Sequence, residues 1–448
     1  MKLIFVVSFA VLLLLSFVAY KIRPPADPLG RTVLTWTSDD NPTRQGQIDP
    51  FNEMFPKDHL VLDPNNADIE KVIVQSIAGV GPDLFSCFTS FELSAYVRAG
   101  IAWDITDELP KYGINIDETW KAAHASCMYD GRIYGFPCNV AANGVWYHKD
   151  MFDEAHVPYP KGPWTWDQLV ELAKKMTLRN AAGKITRYGF IVDWHNEYYQ
   201  FILQAGGRFY SPDGTKCVMD SPESIAGIQF LYDLVYKHQV MPTFSESESM
   251  ATQGGWGQGA ASLFAGRKGA MALGGRWWLC KFREYKDLHL GVCEGPYGKR
   301  RVFRAYGKST CINKASPNRE EALKFFVYQM SPRFNHVINQ QADGMGPVIK
   351  YDQGPEFLHD PAHPEEDYNQ VWIDMMERSE PDEVSPFANG KVVTRLVETH
   401  LDLIRGNQET PTEGMKRLTA SVNQLIADMV KRDPELRAKY EKLTGKKS

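Results

Sequence analysis

The stretch FAGRKGAMALGGRWW, residues 264–278, closes on two glycines, an arginine and two adjacent tryptophans. Two large aromatics directly after a glycine turn have little local chain to cover them. They either enter a core or offer a flat face to a ligand.

Signatures of covalent chemistry are missing. RVFRAYGKST contains Gly307, Lys308 and Ser309 in a row, but Val302 stands where a phosphate-binding loop needs its first glycine. GGWGQG, residues 254–259, has its third glycine misplaced for a dinucleotide fingerprint, and no strand leads into it. The 11 histidines form no HExxH, and GxSxG does not occur. A carboxylate pair for glycoside hydrolysis is not excluded by 55 acidic residues, and nothing marks one. The seven cysteines contain no CxxC, which removes a zinc or redox motif. Their odd number leaves at least one thiol free. Burial as small apolar side chains fits most of them, and one or two disulfides stay open.

The elements that must position these residues follow an α/β rhythm. TVLTWT reads as a strand with Val33, Leu34 and Trp36 buried, and Asp39 to Pro42 form a polar turn after it. Asp68 caps a helix whose Ile69, Val72, Ile73 and Ile77 share a face, and Leu84-Phe85 open the next strand. Thr165 and Gln168 have capping-box spacing. Ser221-Pro222 and Ser316-Pro317 both read as a cap followed by proline at the first helical position. Met415, Leu418, Val422, Leu425, Ile426 and Met429 make one late helical stripe. The charged tail after Lys431 lacks an apolar face and reads as frayed or loose.

Composition sets the frame. With 448 residues, 43% of them hydrophobic and 23% charged, the chain is globular and long enough for two or three cores. A net charge of −5 argues against a nucleic-acid partner. Residues 1–28 carry Lys2, an uncharged apolar run from Leu3 to Ala19, then Lys21 and Arg23. They read as a signal peptide or a membrane anchor, and both options stay open. Either puts the body outside the cytoplasm, in the periplasm or on the outer face of the membrane.

Several stretches, in order, resemble the extracellular solute-binding proteins of bacterial ABC importers, in the sugar-binding branch that includes the maltodextrin-binding proteins. TVLTWTSDD is similar to that family's opening strand, and GPDLFSCFTSFELSAYVRAGIAWDITDEL to its next strand and loop. DGRIYGFPCNVAANGVWYHKDMFDEAHVPYPKGPWTWDQL is the most specific match, and FAGRKGAMALGGRWW, GKSTCINKASPNREEALKFF, ADGMGPV and LIRGNQETPTEGMKRL complete the series.

The resemblance implies an α/β protein of the two-lobed periplasmic-binding (type II) fold, with a ligand cleft between the lobes. Lobe 1 would comprise 29–142 and 290–344, and lobe 2 would comprise 143–289 and 345–448. Crossings would fall near Val140 to Trp146, near His289 to Gly291 and after Gly344.

By the same resemblance the ligand is a sugar or oligosaccharide, released to ABC permease subunits by a monomer with no catalysis and no cofactor. An anchored sensory domain and an extracellular saccharide-active enzyme are the alternatives. The resemblance makes Trp277 the platform for a sugar's apolar face, with Trp278 sharing that role or lying in the core. It places Asp39 and Asp40 at the sugar hydroxyls, against a plain capping turn. It adds Phe88, Ser90, Asn139, Asn143, Trp194, Asn196 and Trp256, and more loosely Phe387. Ala141 stands where the maltodextrin-binding proteins carry a carboxylate, a departure from their pattern that leaves the particular sugar open.

Overall fold

The computed structural model describes residues 9, 11–16, 27–250 and 259–445. In chain order the main strands are β1 (Thr32–Thr37), β2 (Asp58–Asp63), β3 (Leu84–Cys87), β4 (Gly135–Ala142), β5 (Gly144–His148), β6 (Ile185–Ile191), β7 (Gly269–Gly274), β8 (Leu290–Cys293) and β9 (Phe303–Ile312). They form two separate sheets.

The first sheet runs β4-β9-β3-β1-β2. β1, β2 and β3 are mutually parallel, and β9 returns antiparallel to β3 and β4. β1 is apolar on one face because Leu34 and Trp36 alternate with residues that stay partly open, Val33 being 40% exposed. That face packs on Phe325, Phe326 and Phe334 of the helices that follow β9. The second sheet runs β8-β5-β7-β6 and carries Trp146, Phe190 and Met271 into apolar clusters.

The chain first passes between the sheets at Asn143, the one residue separating β4 from β5. It returns across residues 294–302. The expectation of a crossing near His289 to Gly291, with 290–344 in the first lobe, is therefore corrected. Leu290 to Cys293 ladder antiparallel to β5 in the second sheet, where Val292 and Cys293 bury their side chains. A third passage follows at Gly344, between the helix Pro332–Gln341 on the first sheet's core and residues that pack with Trp146; beside it the backbone N–H of Met345 donates to the Val140 carbonyl at 2.8 Å, and Val140 returns the bond at 3.1 Å.

Local signals act where their chemistry requires. Asp68 accepts the Glu70 and Lys71 N–H groups, Thr165 and Gln168 form the reciprocal capping box, and Ser221 caps the helix Pro222–Tyr236. The Ser316-Pro317 signal starts its helix two residues late. Ser316 gives its hydroxyl to Asp83 at 2.6 Å, and the helix Arg319–Met330 opens after Asn318. The tail expected to be frayed is the helix Pro434–Thr444, capped by Asp433, with Leu436 and Tyr440 packed against the second lobe's core. All seven cysteines are free, and six are buried. Among the described residues no helix is long and apolar enough to cross a membrane.

Candidate functional site

Between the sheets lies a cleft of about 380 Å³, lined from both sides. The first sheet contributes Asp39, Arg44, Phe88, Asn139, Tyr306 and Lys308. The second contributes Asn196, Glu197, Trp277 and Trp278.

Asp39 sits in the loop after β1. Arg44, at the start of the helix Arg44–Met54, clasps its carboxylate through Nε at 2.8 Å and a terminal nitrogen at 3.0 Å. The other terminal nitrogen of Arg44 meets the Asp343 carboxylate, which also accepts from Asn41 at 3.1 Å and Gln47 at 3.0 Å. Burial pushes the Asp39 carboxyl upward, but Lys308 and Arg44 outweigh it and hold the group well below the usual carboxylate range. Lys308 is 5% exposed. Its ammonium lies 3.4 Å from Asp39 and 4.5 Å from the centre of the Trp36 ring. Burial lowers its pKa, and Arg44 lowers it further.

Arg304, Tyr306 and Lys308 occupy alternate positions of β9, so one face of the strand lines the cleft with polar groups. Arg304 forms a two-pronged pair with Asp382, both bonds 2.6 Å, and lies 4.4 Å from the Tyr306 ring centre. Opposite, the helix Trp194–Ala205 begins with Asp193 accepting the His195 N–H at 3.1 Å. Glu197, in its first turn, accepts the Tyr306 hydroxyl at 3.1 Å and the Asn143 amide. Burial pushes the Glu197 carboxyl up to about 8, so it holds its proton at neutral pH.

The tryptophans leave β7 through a short 3₁₀ turn, Arg276–Trp278. Their rings fold back over the two preceding glycines: a Cβ on Gly274 would overlap the Trp278 ring, and one on Gly275 the Trp277 ring. Trp278 is 8% exposed and belongs to the apolar cluster, with part of its ring reaching the cleft. Trp277 is half-buried, its ring centre 5.3 Å from that of Tyr306 in an edge contact.

The structure brings Asp39, Phe88, Asn139, Asn196, Trp277 and Trp278 together at the cleft. Other expected positions lie elsewhere. Asp40 is exposed and outside it. Ser90 is buried in its helix and donates to the Asp382 carbonyl at 3.3 Å. Asn143 is wholly buried and reaches the cleft only through Glu197. Trp194 is core. It shares a helix face with Tyr198, whereas Asn196 is turned about 200° away, toward the cleft. Phe387 is fully buried against Tyr440 of the last helix, 5.3 Å between ring centres. Trp256 lies outside the described residues.

Arg44, Glu197, Arg304, Tyr306, Lys308 and Asp343 were not anticipated. For three of them the signal is the alternation of polar with small or apolar residues in FRAYGKS. Arg44, Glu197 and Asp343 carry no such mark, because nothing local distinguishes a charged residue that will be buried by a distant segment.

Comparison with known proteins bears on what this cleft serves. A family model described as bacterial extracellular solute-binding protein matches residues 36–334, well over half of the chain. An arabinooligosaccharide-binding protein of Halalkalibacterium halodurans is 35% identical over 125 residues, 28% of this chain and 27% of that protein. A maltooligosaccharide ABC transporter solute-binding lipoprotein of Streptococcus pneumoniae is 28% identical over 236 residues, 50% of this chain and 51% of that protein. The chain thus matches between a quarter and a half of the length of these curated relatives. Among solved structures, an ABC substrate-binding protein of Listeria monocytogenes, in complex with cycloalternan, superposes with a TM-score of 0.77 at 20% identity, covering 89% of this chain and 99% of that one. That likeness shows a shared two-lobed fold.

Proposed function

The chain belongs to the bacterial extracellular solute-binding protein family, and on that premise we propose that it captures a sugar or oligosaccharide in the cleft and delivers it to an ABC-type permease. The observation that carries the reading is the half-buried Trp277 ring, lining the cleft together with Phe88 from the opposite sheet and the polar set of Asp39, Asn139, Asn196 and Lys308. Aromatic faces suit the C–H face of a pyranose, and the amides, carboxylate and ammonium suit its hydroxyl rim. A ligand touching both lobes favours the closed state by its differential affinity for it. The relatives named for arabino- and maltooligosaccharides support the substrate class.

The protein works as a binding protein rather than an enzyme. The carboxylates that line the cleft are all engaged: Asp39 by Arg44 and Lys308, Asp193 by the His195 N–H and the Asn196 amide, Glu197 by Tyr306 and Asn143, and Asp343 by Arg44, Asn41 and Gln47. It acts as a monomer on the outer side of the cytoplasmic membrane, exported or held there by residues 1–28. An anchored sensory domain would use the same cleft and differ only in its membrane partner.

The test is a thermal-shift screen of residues 27–448 against mono- and oligosaccharides, polyamines and metal ions. A ligand at one hundred times its Kd adds about 2.7 kcal/mol. Stabilisation by a saccharide, much reduced in Trp277→Ala, supports the reading. Stabilisation by polyamines or metals alone overturns the carbohydrate assignment.

A further inference from the structure

Arg276 is among the largest fully buried side chains of the molecule, 1% exposed, and it stands directly before Trp277. Among the described residues no carboxylate pairs with it. Glu366 is taken by Arg283 at 2.7 and 2.8 Å, and Asp352 by the Trp120 indole at 2.7 Å and the Gly346 N–H at 3.0 Å. The acceptors of Arg276 are all neutral. One terminal nitrogen donates to the Gly344 carbonyl at 2.6 Å and the other to the Asn339 carbonyl at 3.3 Å, while Nε donates to the Asn369 side-chain oxygen at 3.2 Å. The Phe357 ring centre lies 4.7 Å from the guanidinium carbon.

A buried cation without a counter-ion is costly, so what it holds matters. The three acceptors sit on three different segments: the helix Pro332–Gln341, the crossing at Gly344 and the helix Asn369–Met376. Only a planar fork with donors pointing three ways can reach them together; a lysine ammonium cannot span the same spread. The crossing it grips is itself part of the cleft. Gly344 is the neighbour of Asp343, whose carboxylate meets Arg44 and whose carbonyl accepts the Asn139 amide at 2.6 Å. Gly344 takes φ +82°, and a Cβ there would come 2.8 Å from the Val140 carbonyl oxygen, so its carbonyl is held in one direction.

We propose that Arg276 is the positioning residue of the ligand platform. It fastens the turn bearing Trp277 to the Gly344 crossing beside Asp343, so that the aromatic ring keeps its seat at the cleft as the lobes close on a ligand. The proposal rests on the carbohydrate reading for its functional consequence and on the free protein's geometry for its cause.

The test separates the two. Acrylamide quenching is measured for the wild type, Trp277→Phe, Arg276→Met and the double variant, and the difference within each pair isolates Trp277. Arg276→Met is expected at least to double the quenching of Trp277, with the circular-dichroism spectrum unchanged. For a saccharide found in the screen, Arg276→Met should weaken binding tenfold or more in the wild type and less than twofold in the Trp277→Ala background. Unchanged quenching overturns the proposal, as do effects of Arg276→Met and Trp277→Ala that multiply. Arg276→Lys, which keeps the charge and one bond, carries the same readouts if the methionine variant fails to fold, and it should fall between the two. If no saccharide binds the wild type, the carbohydrate reading fails, and the quenching arm still decides the role of Arg276.

Discussion

The Tyr306 hydroxyl lies 2.5 Å from the Asn196 carbonyl and 3.1 Å from the Glu197 carboxyl, joining a strand of the first sheet to the helix that opens on the second. Burial raises the Glu197 pKa from 4.5 to about 8. An acid whose folded pKa is raised keeps its proton where the unfolded chain has lost it, so stability falls as pH rises toward the folded value. Asp352 and Glu92, both pushed by burial to about 7, act in the same sense but are largely spent above that pH. His148, pushed by burial down to about 4, opposes them only below its ordinary 6.5. Six thiols that burial raises add to the fall as pH nears 8, and Glu197 contributes at most about 1.4 kcal/mol per pH unit. Urea midpoints at pH 7, 7.5 and 8 should fall more steeply for the wild type than for Glu197→Gln. Parallel curves would show that the carboxyl ionises freely in the fold.

Aromatics of the cleft and of the core part company under alanine substitution. Trp277→Ala should weaken saccharide binding sharply, to an affinity still measurable, while leaving the urea midpoint nearly in place, because its ring is half-buried against the cleft. Trp194→Ala and Phe387→Ala remove rings that are 1% and 0% exposed. Each should cost about 3–5 kcal/mol of stability. In the fraction that remains folded, affinity should be unaltered. Titration calorimetry beside denaturation decides the matter, and a Trp194→Ala protein of normal stability with lost affinity would move Trp194 back to the site.

That division also marks how far the chain's function could be read in one dimension. The Trp277 turn, the Thr165–Gln168 capping box and the alternation of strands with amphipathic helices depend on neighbours within a few residues and are legible. Trp194, which the resemblance places at the ligand, is core instead, because its burial is decided by segments far away in sequence. The pairing of Arg44 with Asp343 spans nearly 300 positions, and that of Tyr306 with Glu197 more than 100. Such long-range pairs leave no local periodicity to detect. The helix Pro434–Thr444 looked loose because Leu436 and Tyr440 are too few to form a stripe, yet they find an existing apolar surface, and Lys439 reaches Asp130 at 3.1 Å.

Lys308 offers the cleft an ammonium whose one hydrogen bond among the described residues, to Asp39 at 3.4 Å, is long. Its remaining donors are free to meet ligand oxygens. Hydrogen bonds to charged groups are worth about 1.5–3 kcal/mol, so Lys308→Met should weaken saccharide binding by about 10- to 100-fold. The fold should survive, since Arg44 alone still clasps Asp39 through two bonds. Calorimetric affinities within twofold of the wild type would show that the ammonium serves only to balance Asp39.

Two neighbouring glycines allow the platform and its support to be separated. Gly275 has φ −87°, a conformation open to alanine, so the backbone itself would not object to Gly275→Ala. The added methyl would instead occupy the space of the Trp277 ring and drive it from its seat. Gly275→Ala should therefore resemble Trp277→Ala, with affinity sharply weakened and the denaturation midpoint shifted little. Gly274→Ala pushes on the Trp278 ring, which is 8% exposed and packed with Phe282 at 5.8 Å between ring centres. Overpacking there should cost about 1–3 kcal/mol of stability. If Gly275→Ala bound saccharide as tightly as the wild type, the ring would have to find its ligand from a second position, and the seat over Gly275 would have no part in recognition.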